Sequence, residues 1–161
     1  MKLKFFIAMG VAVLPLIGGC AITTHPLAAI GPGTVDKAGK GPDGYLEVFT
    51  ATRTVDADFH NYFELHDGYD IKDTSGETIK FVANHDSNID EGVDQVSLRP
   101  GKYILVARST WCGLMKIPVE IVQGRLTEVH LDGNNWSPVP RPAASQLVFL
   151  PNGEVAGWKS N

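Results

Sequence analysis

Hydrophobic and polar positions alternate over short runs along most of the chain. In the clearest run, residues 102–108, the odd-numbered positions Tyr103, Leu105 and Ala107 are all apolar, whereas basic residues fall on even-numbered ones. Successive side chains of a β-strand point to opposite faces, so this period of two predicts a half-buried strand. Similar runs recur at close intervals, with turn residues between them, and no stretch shows a sustained helical period. The pattern predicts an all-β sandwich or barrel.

Three pairs of runs are joined by turn residues. Residues 69–72 and 78–82 flank a loop that contains Gly76, and residues 115–122 and 125–131 meet at Gln123-Gly124. Residues 146–150 and 155–158 flank Asn152-Gly153, which is a strong local hairpin signal. Pro118 lies inside its run and cannot donate a ladder hydrogen bond, so we expect that strand at a sheet edge or beginning at Pro118.

These elements predict a single Greek-key-type antiparallel β-sandwich of about seven to nine strands with little helix. We expect the sandwich to span residues 44–132. A Pro-rich connector then covers 133–145, and a C-terminal hairpin, 146–161, packs on the sandwich and buries Trp158. Residues 20–43 are so rich in Pro and Gly that we expect a flexible tether there, without a central strand.

The amino terminus has a different pattern. Lys2 and Lys4 precede an apolar run over residues 5–17, and small residues follow up to Cys20. This order is typical of a secretory signal peptide. The run is about 13 residues long, whereas a membrane-spanning helix needs roughly 20. We therefore expect residues 1–19 to be a leader that is cleaved after Gly19.

The sequence Ile17-Gly18-Gly19-Cys20 also resembles a bacterial lipobox. The resemblance implies lipidation of Cys20, with cleavage before it and acyl chains on the thiol and the new amine. Each buried CH₂ group contributes about 0.8 kcal/mol, so two or more chains hold a protein stably on a membrane. Ala21, where inner-membrane lipoproteins have Asp, implies the periplasmic side of the outer membrane. The expectation is a bacterial cell-envelope protein that is anchored to its membrane without spanning it.

Charge and cysteine content narrow the classes of partner. The chain has 14 basic and 18 acidic residues, a formal net charge of −4, which falls to −6 once Lys2 and Lys4 leave with the leader. This balance argues against nucleic acid, whose binding is driven by Lys and Arg. If Cys20 carries lipid, Cys112 has no internal partner. It would then be either a half-buried small residue or free for an intermolecular disulfide.

A longer resemblance extends over residues 69–132. The stretch 98–108 with its Pro100-Gly101 turn, then Gly113, residues 118–121, Gly124 and residues 129–131 are similar to carboxypeptidase-regulatory-like and transthyretin-like domains. The resemblance implies a β-sandwich and a non-catalytic accessory role. Where those domains continue with Gly-Tyr, this chain has Trp111-Cys112-Gly113-Leu114. The matching residues are turn and core positions, so they inform fold more than chemistry.

Three histidines lie beside carboxylates in the polar segment between Asp56 and Glu91. Imidazole and carboxylate are common zinc ligands. However, His60 and His66 are six residues apart, a spacing typical of neither a helical turn nor a strand face, and His85 is remote. We expect solvated loop histidines and no cofactor, and keep a metal-binding protein or metal-dependent enzyme as the alternative. Residues 86–92 resemble a calcium loop but have Glu91 where that loop needs Gly.

Aromatic residues of the same segment are the stronger candidates for ligand contact: Phe59, Tyr62, Phe63 and Tyr69. They could form a stacking platform for a glycan or a groove for a peptide, or they could cap the sandwich core. The sequence has neither a Gly-x-Ser-x-Gly nor a His-Glu-x-x-His motif. We therefore expect a lipid-anchored, non-enzymatic binding or structural module whose partner is a protein or polysaccharide of the cell envelope.

Overall fold

The computed structural model describes residues 26–33, 41–58, 61–85, 92–139 and 141–160. Within these ranges the chain is all-β, with twelve strands and one short 3₁₀ helix, Ala144–Gln146. The strands are β1 (Ile30–Gly31), β2 (Gly44–Phe49), β3 (Thr52–Asp58), β4 (Asn61–His66), β5 (Tyr69–Lys72), β6 (Thr78–Val82), β7 (Val96–Leu98), β8 (Gly101–Ser109), β9 (Gly113–Ile121), β10 (Leu126–His130), β11 (Leu147–Phe149) and β12 (Val155–Lys159).

The strands form three sheets, in an arrangement consistent with a β-sandwich. The larger layer has seven strands in the order β11-β12-β1-β9-β8-β5-β6, and the smaller has three in the order β10-β2-β7. Strands β3 and β4 form a separate hairpin. Most neighbours in the described ranges are antiparallel, but β1 runs parallel to β9 and β10 runs parallel to β2. The all-β prediction is confirmed, with more strands than the seven to nine expected.

The core lies between the two layers and is built by alternation. In β8 the predicted inward positions Leu105 and Ala107 are fully buried, whereas Arg108 is exposed. In β10 the same rule buries Thr127 and Val129. Eighteen buried apolar residues from both layers form one cluster: Ile30, Leu46, Val48, Tyr69, Ile71, Val82, Val96, Leu98, Leu105, Ala107, Ile117, Val119, Ile121, Val129, Leu131, Val148, Leu150 and Ala156.

The predicted hairpin of β5 and β6 is confirmed. Gly76 has a φ of 94°, which a residue with a side chain rarely adopts. The carboxylate of Asp73 accepts hydrogen bonds from the hydroxyl and backbone N–H of Ser75 and from the backbone N–H of Glu77. These bonds favour the charged form, so they hold the pKa of Asp73 below its ordinary value.

The prediction of a flexible tether over residues 20–43 is wrong for residues 26–33. Ile30 is completely buried and lies between β9 and β12, in register with Val119 and Lys159. Leu27 also packs against the core. The Pro and Gly content of this stretch predicted a linker. Its short apolar run, residues 27–30, nevertheless supplies enough buried surface for a two-residue inner strand.

Two further strand positions differ from expectation. The strand with Pro118 is not at an edge, because β9 lies between β1 and β8. Only Val119 of β9 is in register with β1, at Ile30. The short ladder between these two strands therefore does not need the backbone N–H that Pro118 lacks. The C-terminal hairpin forms and buries Trp158 as predicted, but it extends the seven-stranded sheet through β12 rather than packing on its face.

The hairpin of β3 and β4 was not expected, since residues 56–66 look irregular in sequence. Val55 is in register with Phe63 and Asp56 with Tyr62, and the register shifts between Asp56 and Asp58. The base of the hairpin is held at the end of β8, where Ala51 N–H donates to the carbonyl of Arg108.

The described part of the chain contains no helix that is long and apolar enough to cross a membrane.

Candidate functional site

The structure separates the four aromatic residues expected to contact a ligand. Tyr69 lies on β5 with 1% of its surface exposed, so it belongs to the core and its assignment to a ligand-contacting loop is corrected. Burial, together with the charges of Asp94 and Glu47, raises the pKa of its hydroxyl far above the ordinary value. Tyr62 is 62% exposed and Phe63 half-buried on β4, and Phe59 lies outside the described residues.

Of the three predicted histidines, His66 serves the fold. His66 is buried, and its Nδ1–H donates to the carbonyl of Thr50 at 2.8 Å. Its ring meets Phe49 edge-on, with centroids 6.0 Å apart. His85 is half-buried, and His60 lies outside the described residues. Within the described ranges, no three His, Cys, Asp or Glu side chains are placed to hold a metal ion together.

A network of buried hydrogen bonds around Asn84 and Thr50, which we call the polar hub, joins the ends of three loops beside His66. Asn84 is completely buried, and its amide Nδ2 donates to the carbonyl of Val48 at 2.9 Å and to Thr50 Oγ1 at 3.1 Å. Its Oδ1 accepts from the backbone N–H of Asp94 at 3.3 Å. Thr50 Oγ1 in turn donates to the carbonyl of Asp67 at 2.6 Å. The hub fixes the chain on both sides of residues 86–91, so its role is structural.

An aromatic column stands on the outer face of the three-stranded sheet. The parallel register of β10 and β2 places His130 beside Phe49. Their rings stack at 4.4 Å with an interplanar angle of 8°. Trp136 stacks on the other side of His130 at 4.1 Å and 11°. The column therefore fixes Trp136 beside the edge strand β10, although it comes from the predicted Pro-rich connector.

A groove runs along the junction between β10 and β12. One part has a volume of about 310 Å³ and is lined by Gly33, Leu126, Glu128, Trp136, Ser137, Pro138, Val139 and Trp158. The adjoining part has about 320 Å³ and is lined by Pro32, Gly33, Arg125, Ser145, Gln146, Trp158 and Lys159. The two parts adjoin at Gly33 and Trp158, and we call them together the tryptophan groove.

Close backbone packing shapes this groove. A Cβ atom added at Gly33 would lie 2.6 Å from the indole nitrogen of Trp158, so the ring lies directly over that glycine. The guanidinium of Arg125 donates to the carbonyl of Gly33 and ties the segment after β1 to the turn before β10. At Gly157, an added Cβ would lie 2.8 Å from the carbonyl oxygen of Glu128. Glycines thus allow β12 to approach β10.

The lining combines flat apolar surfaces with hydrogen-bonding groups. Trp136 and the exposed Val139 supply apolar surface, whereas Trp158 and Pro138 are almost completely buried, and Arg125, Glu128 and Gln146 carry hydrogen-bonding groups. The volumes are at the lower end of the range for small-molecule sites, and the part beside Arg125 is more polar than such sites usually are. The groove therefore offers stacking on Trp136 and hydrogen bonding to a small ring.

Sequence reasoning missed the groove because five separate segments build it. Trp136 was assigned to a connector and Trp158 to the interior, and nothing in the local pattern joins residues 32–33 to residues 125–128. The one usable signal was Trp136 itself, a large aromatic among prolines.

No protein-family model matches the chain, and neither a curated protein nor a solved structure matches it. The likeness to carboxypeptidase-regulatory-like and transthyretin-like domains therefore stays a prediction from the residues quoted above. The function has to be argued from the groove and from the amino-terminal sequence.

Proposed function

We propose that this protein is a lipid-anchored, non-enzymatic module of the bacterial cell envelope that binds a polysaccharide in the tryptophan groove. The observation that carries the proposal is the groove itself, in which Trp136 presents a partly exposed indole beside hydrogen-bonding side chains. The anchor rests on the amino-terminal sequence that ends at Cys20.

The chemistry of the groove favours a sugar chain over a peptide. A pyranose ring has an apolar C–H face that packs on an indole and a rim of hydroxyls that needs both donors and acceptors. Arg125, Glu128 and Gln146 place hydrogen-bonding groups in the same groove as Trp136. The groove is open and has two parts of similar volume, which suits consecutive units of a polymer.

Replacement of Trp136 by alanine tests the binding site. We expect binding to the glycan of isolated cell walls to weaken about tenfold or more, because stacking of a ring on one aromatic side chain contributes on the order of 1–3 kcal/mol. Co-sedimentation of the protein with purified cell walls measures it. The matched control is Trp111→Ala, which removes an exposed tryptophan that does not line the groove.

The two variants must unfold at temperatures close to that of the parent protein for the comparison to hold. Equal retention of both on cell walls would contradict the proposal. Loss of binding after protease treatment of the cell walls, with the glycan intact, would point to a protein partner and would equally overturn the polysaccharide assignment.

Replacement of Cys20 by alanine tests the anchor. The thiol is the acceptor of the acyl chains, so the variant is expected to leave the membrane fraction almost completely or to accumulate with its leader uncleaved. Immunoblots of fractionated cells and the mass of the mature protein measure both effects. Cys112→Ala is the control and should fractionate like the parent. A Cys20→Ala variant that is processed normally and stays with the membranes would refute the anchor.

A further inference from the structure

We propose that the end of the seven-stranded sheet where β8 turns into β9 lies against the bilayer that holds the Cys20 lipid. In this arrangement Phe81, Trp111 and Leu114 enter the headgroup region. We call this surface the membrane-facing end. The inference rests on the proposed anchor and adds to it an orientation of the folded body.

Three large apolar side chains are exposed at this end. Leu114 is 69% exposed, Trp111 66% and Phe81 64%. Strand register places Phe81 and Leu114 on the same outer face near this end, since Phe81 pairs with Asp70, Asp70 pairs with Val106, and Leu114 pairs with Arg108, two residues after Val106. Trp111 lies in the turn between β8 and β9, with its indole over Gly133. Such a concentration of exposed apolar side chains usually marks an interaction surface.

The course of the chain identifies a bilayer as the partner. Strand β1 runs parallel to β9 and is in register with it at Ile30 and Val119. The chain before Ile30 therefore leads toward the Gly113 end of β9, which is the membrane-facing end. Pro26 is already part of the described structure, so six residue steps separate it from Cys20.

Those six steps limit how far the body can be from its anchor. A fully extended chain spans at most about 3.3–3.6 Å per residue, so Pro26 lies within about 22 Å of Cys20. The 24-residue tether expected from sequence would have allowed far more distance. With so short a connection, the Gly113 end of β9, toward which the chain before Ile30 leads, is held near the membrane surface.

The charge of this end fits a phospholipid surface. Arg108 is in register with Leu114, and Lys116 is in register with Val106, so two basic side chains lie beside the apolar ones on the outer face, where Asp70 is the acidic neighbour. Arg108 pairs with Asp67 at 3.5 Å, yet 61% of its side chain stays exposed. Long basic side chains reach lipid phosphates while their stems pack beside apolar groups. Aromatic rings with one polar atom favour the same depth.

Tryptophan fluorescence of the lipidated protein in vesicles tests the orientation. The vesicles contain phosphatidylethanolamine and phosphatidylglycerol with brominated acyl chains, which quench indoles at the headgroup boundary. We expect about twofold quenching of the Trp111 emission, because interfacial side chains lie about 5–10 Å into this boundary. The Trp111→Phe variant should lose the quenched component, and the control Trp136→Phe should keep it.

A second variant tests the apolar contact without changing the probe. Phe81→Ser with Leu114→Ser removes two exposed side chains and should reduce the quenching of Trp111 severalfold, while the protein stays on the vesicles through its lipid. If Trp111 emission is the same in brominated and ordinary vesicles, the inference is wrong.

The mass of the amino-terminal peptide shows whether Cys20 carries acyl chains. It therefore distinguishes a wrong orientation from a wrong assignment of the anchor. Acyl chains on Cys20 without quenching would refute the orientation and leave the anchor intact. A peptide without acyl chains would refute the anchor, and quenching of that protein by the same vesicles would still support the surface. Absence of both would refute the two proposals together.

Discussion

Replacement of Asn84 by alanine is expected to lower the free energy of unfolding by about 3 kcal/mol. The side chain is completely buried and makes short hydrogen bonds to Val48 and Thr50 and a further one with the backbone of Asp94. Alanine leaves these buried groups without that partner, at a cost of about 1–3 kcal/mol for each one that stays unsatisfied. Urea unfolding followed by circular dichroism measures the change.

The backbone at this position adds to the cost. Asn84 has a φ of 69°, in the left-handed region that asparagine tolerates better than alanine. Asn135 is the matched control, because it also has a positive φ, 49°, but its side chain is exposed. Asn135→Ala should lower the free energy of unfolding by only about 1 kcal/mol, the cost of the left-handed backbone conformation.

The difference between the two variants therefore reports the buried hydrogen bonds together with the packing of the buried side chain. Equal losses in Asn84→Ala and Asn135→Ala would show that the polar hub contributes nothing beyond backbone conformation. Asn84→Asp retains the size and the acceptor but removes the amide donor, so it should be at least as destabilising as alanine at neutral pH.

Much of the fold could be predicted because strands leave a local signature. The alternation at residues 102–108 places Leu105 and Ala107 inside and Arg108 outside, as the structure has them. The hairpin of β5 and β6 was also predicted, since Gly76 sits where a positive φ is needed. These features depend on neighbours in sequence, and short-range rules therefore suffice.

The errors fall where long-range contacts override local composition. Ile30 lies in a stretch that looks like a linker, and its burial depends on β9 and β12, about 90 and 130 residues later. Tyr69 looks like a loop aromatic next to Asp67 and Gly68, but β8 beside it makes it a core residue. The tryptophan groove also depends on long-range contacts, because only the arrangement of the sheets brings Trp136 and Trp158 to the same groove.

The two parts of the tryptophan groove lie at different distances from the membrane-facing end. Arg125, in one part of the groove, follows the turn after Ile121, whereas the membrane-facing end begins at Gly113, the opposite end of β9. A strand of this length spans about 25–30 Å. That part of the groove would then open well away from the bilayer. The part with Trp136 lies closer to it, because Trp136 stacks on His130 and the next residue, Leu131, accepts a hydrogen bond from Thr110 in the turn between β8 and β9.

Replacement of Gly157 by alanine is expected to cost about 2–3 kcal/mol and to disturb the groove. The new Cβ would lie 2.7 Å from Ile30 Cγ2 and 2.8 Å from the carbonyl oxygen of Glu128, closer than such atoms approach. The methyl group of Ile30 is in the core and the carbonyl belongs to β10, so β12 itself has to move. Overpacking of this kind typically costs 1–3 kcal/mol.

Gly101→Ala is the matched control. Gly101 also belongs to a strand, and its added Cβ would meet only the Tyr103 ring, at 3.6–3.8 Å, an ordinary contact distance. This variant should stay within about 0.5 kcal/mol of the parent in urea unfolding. The Gly157→Ala variant should also bind cell-wall glycan more weakly, because Trp158 is the next residue on the displaced strand. Unchanged stability in Gly157→Ala would show that β12 does not lie against β10 as described, and the groove between them would not exist in this form.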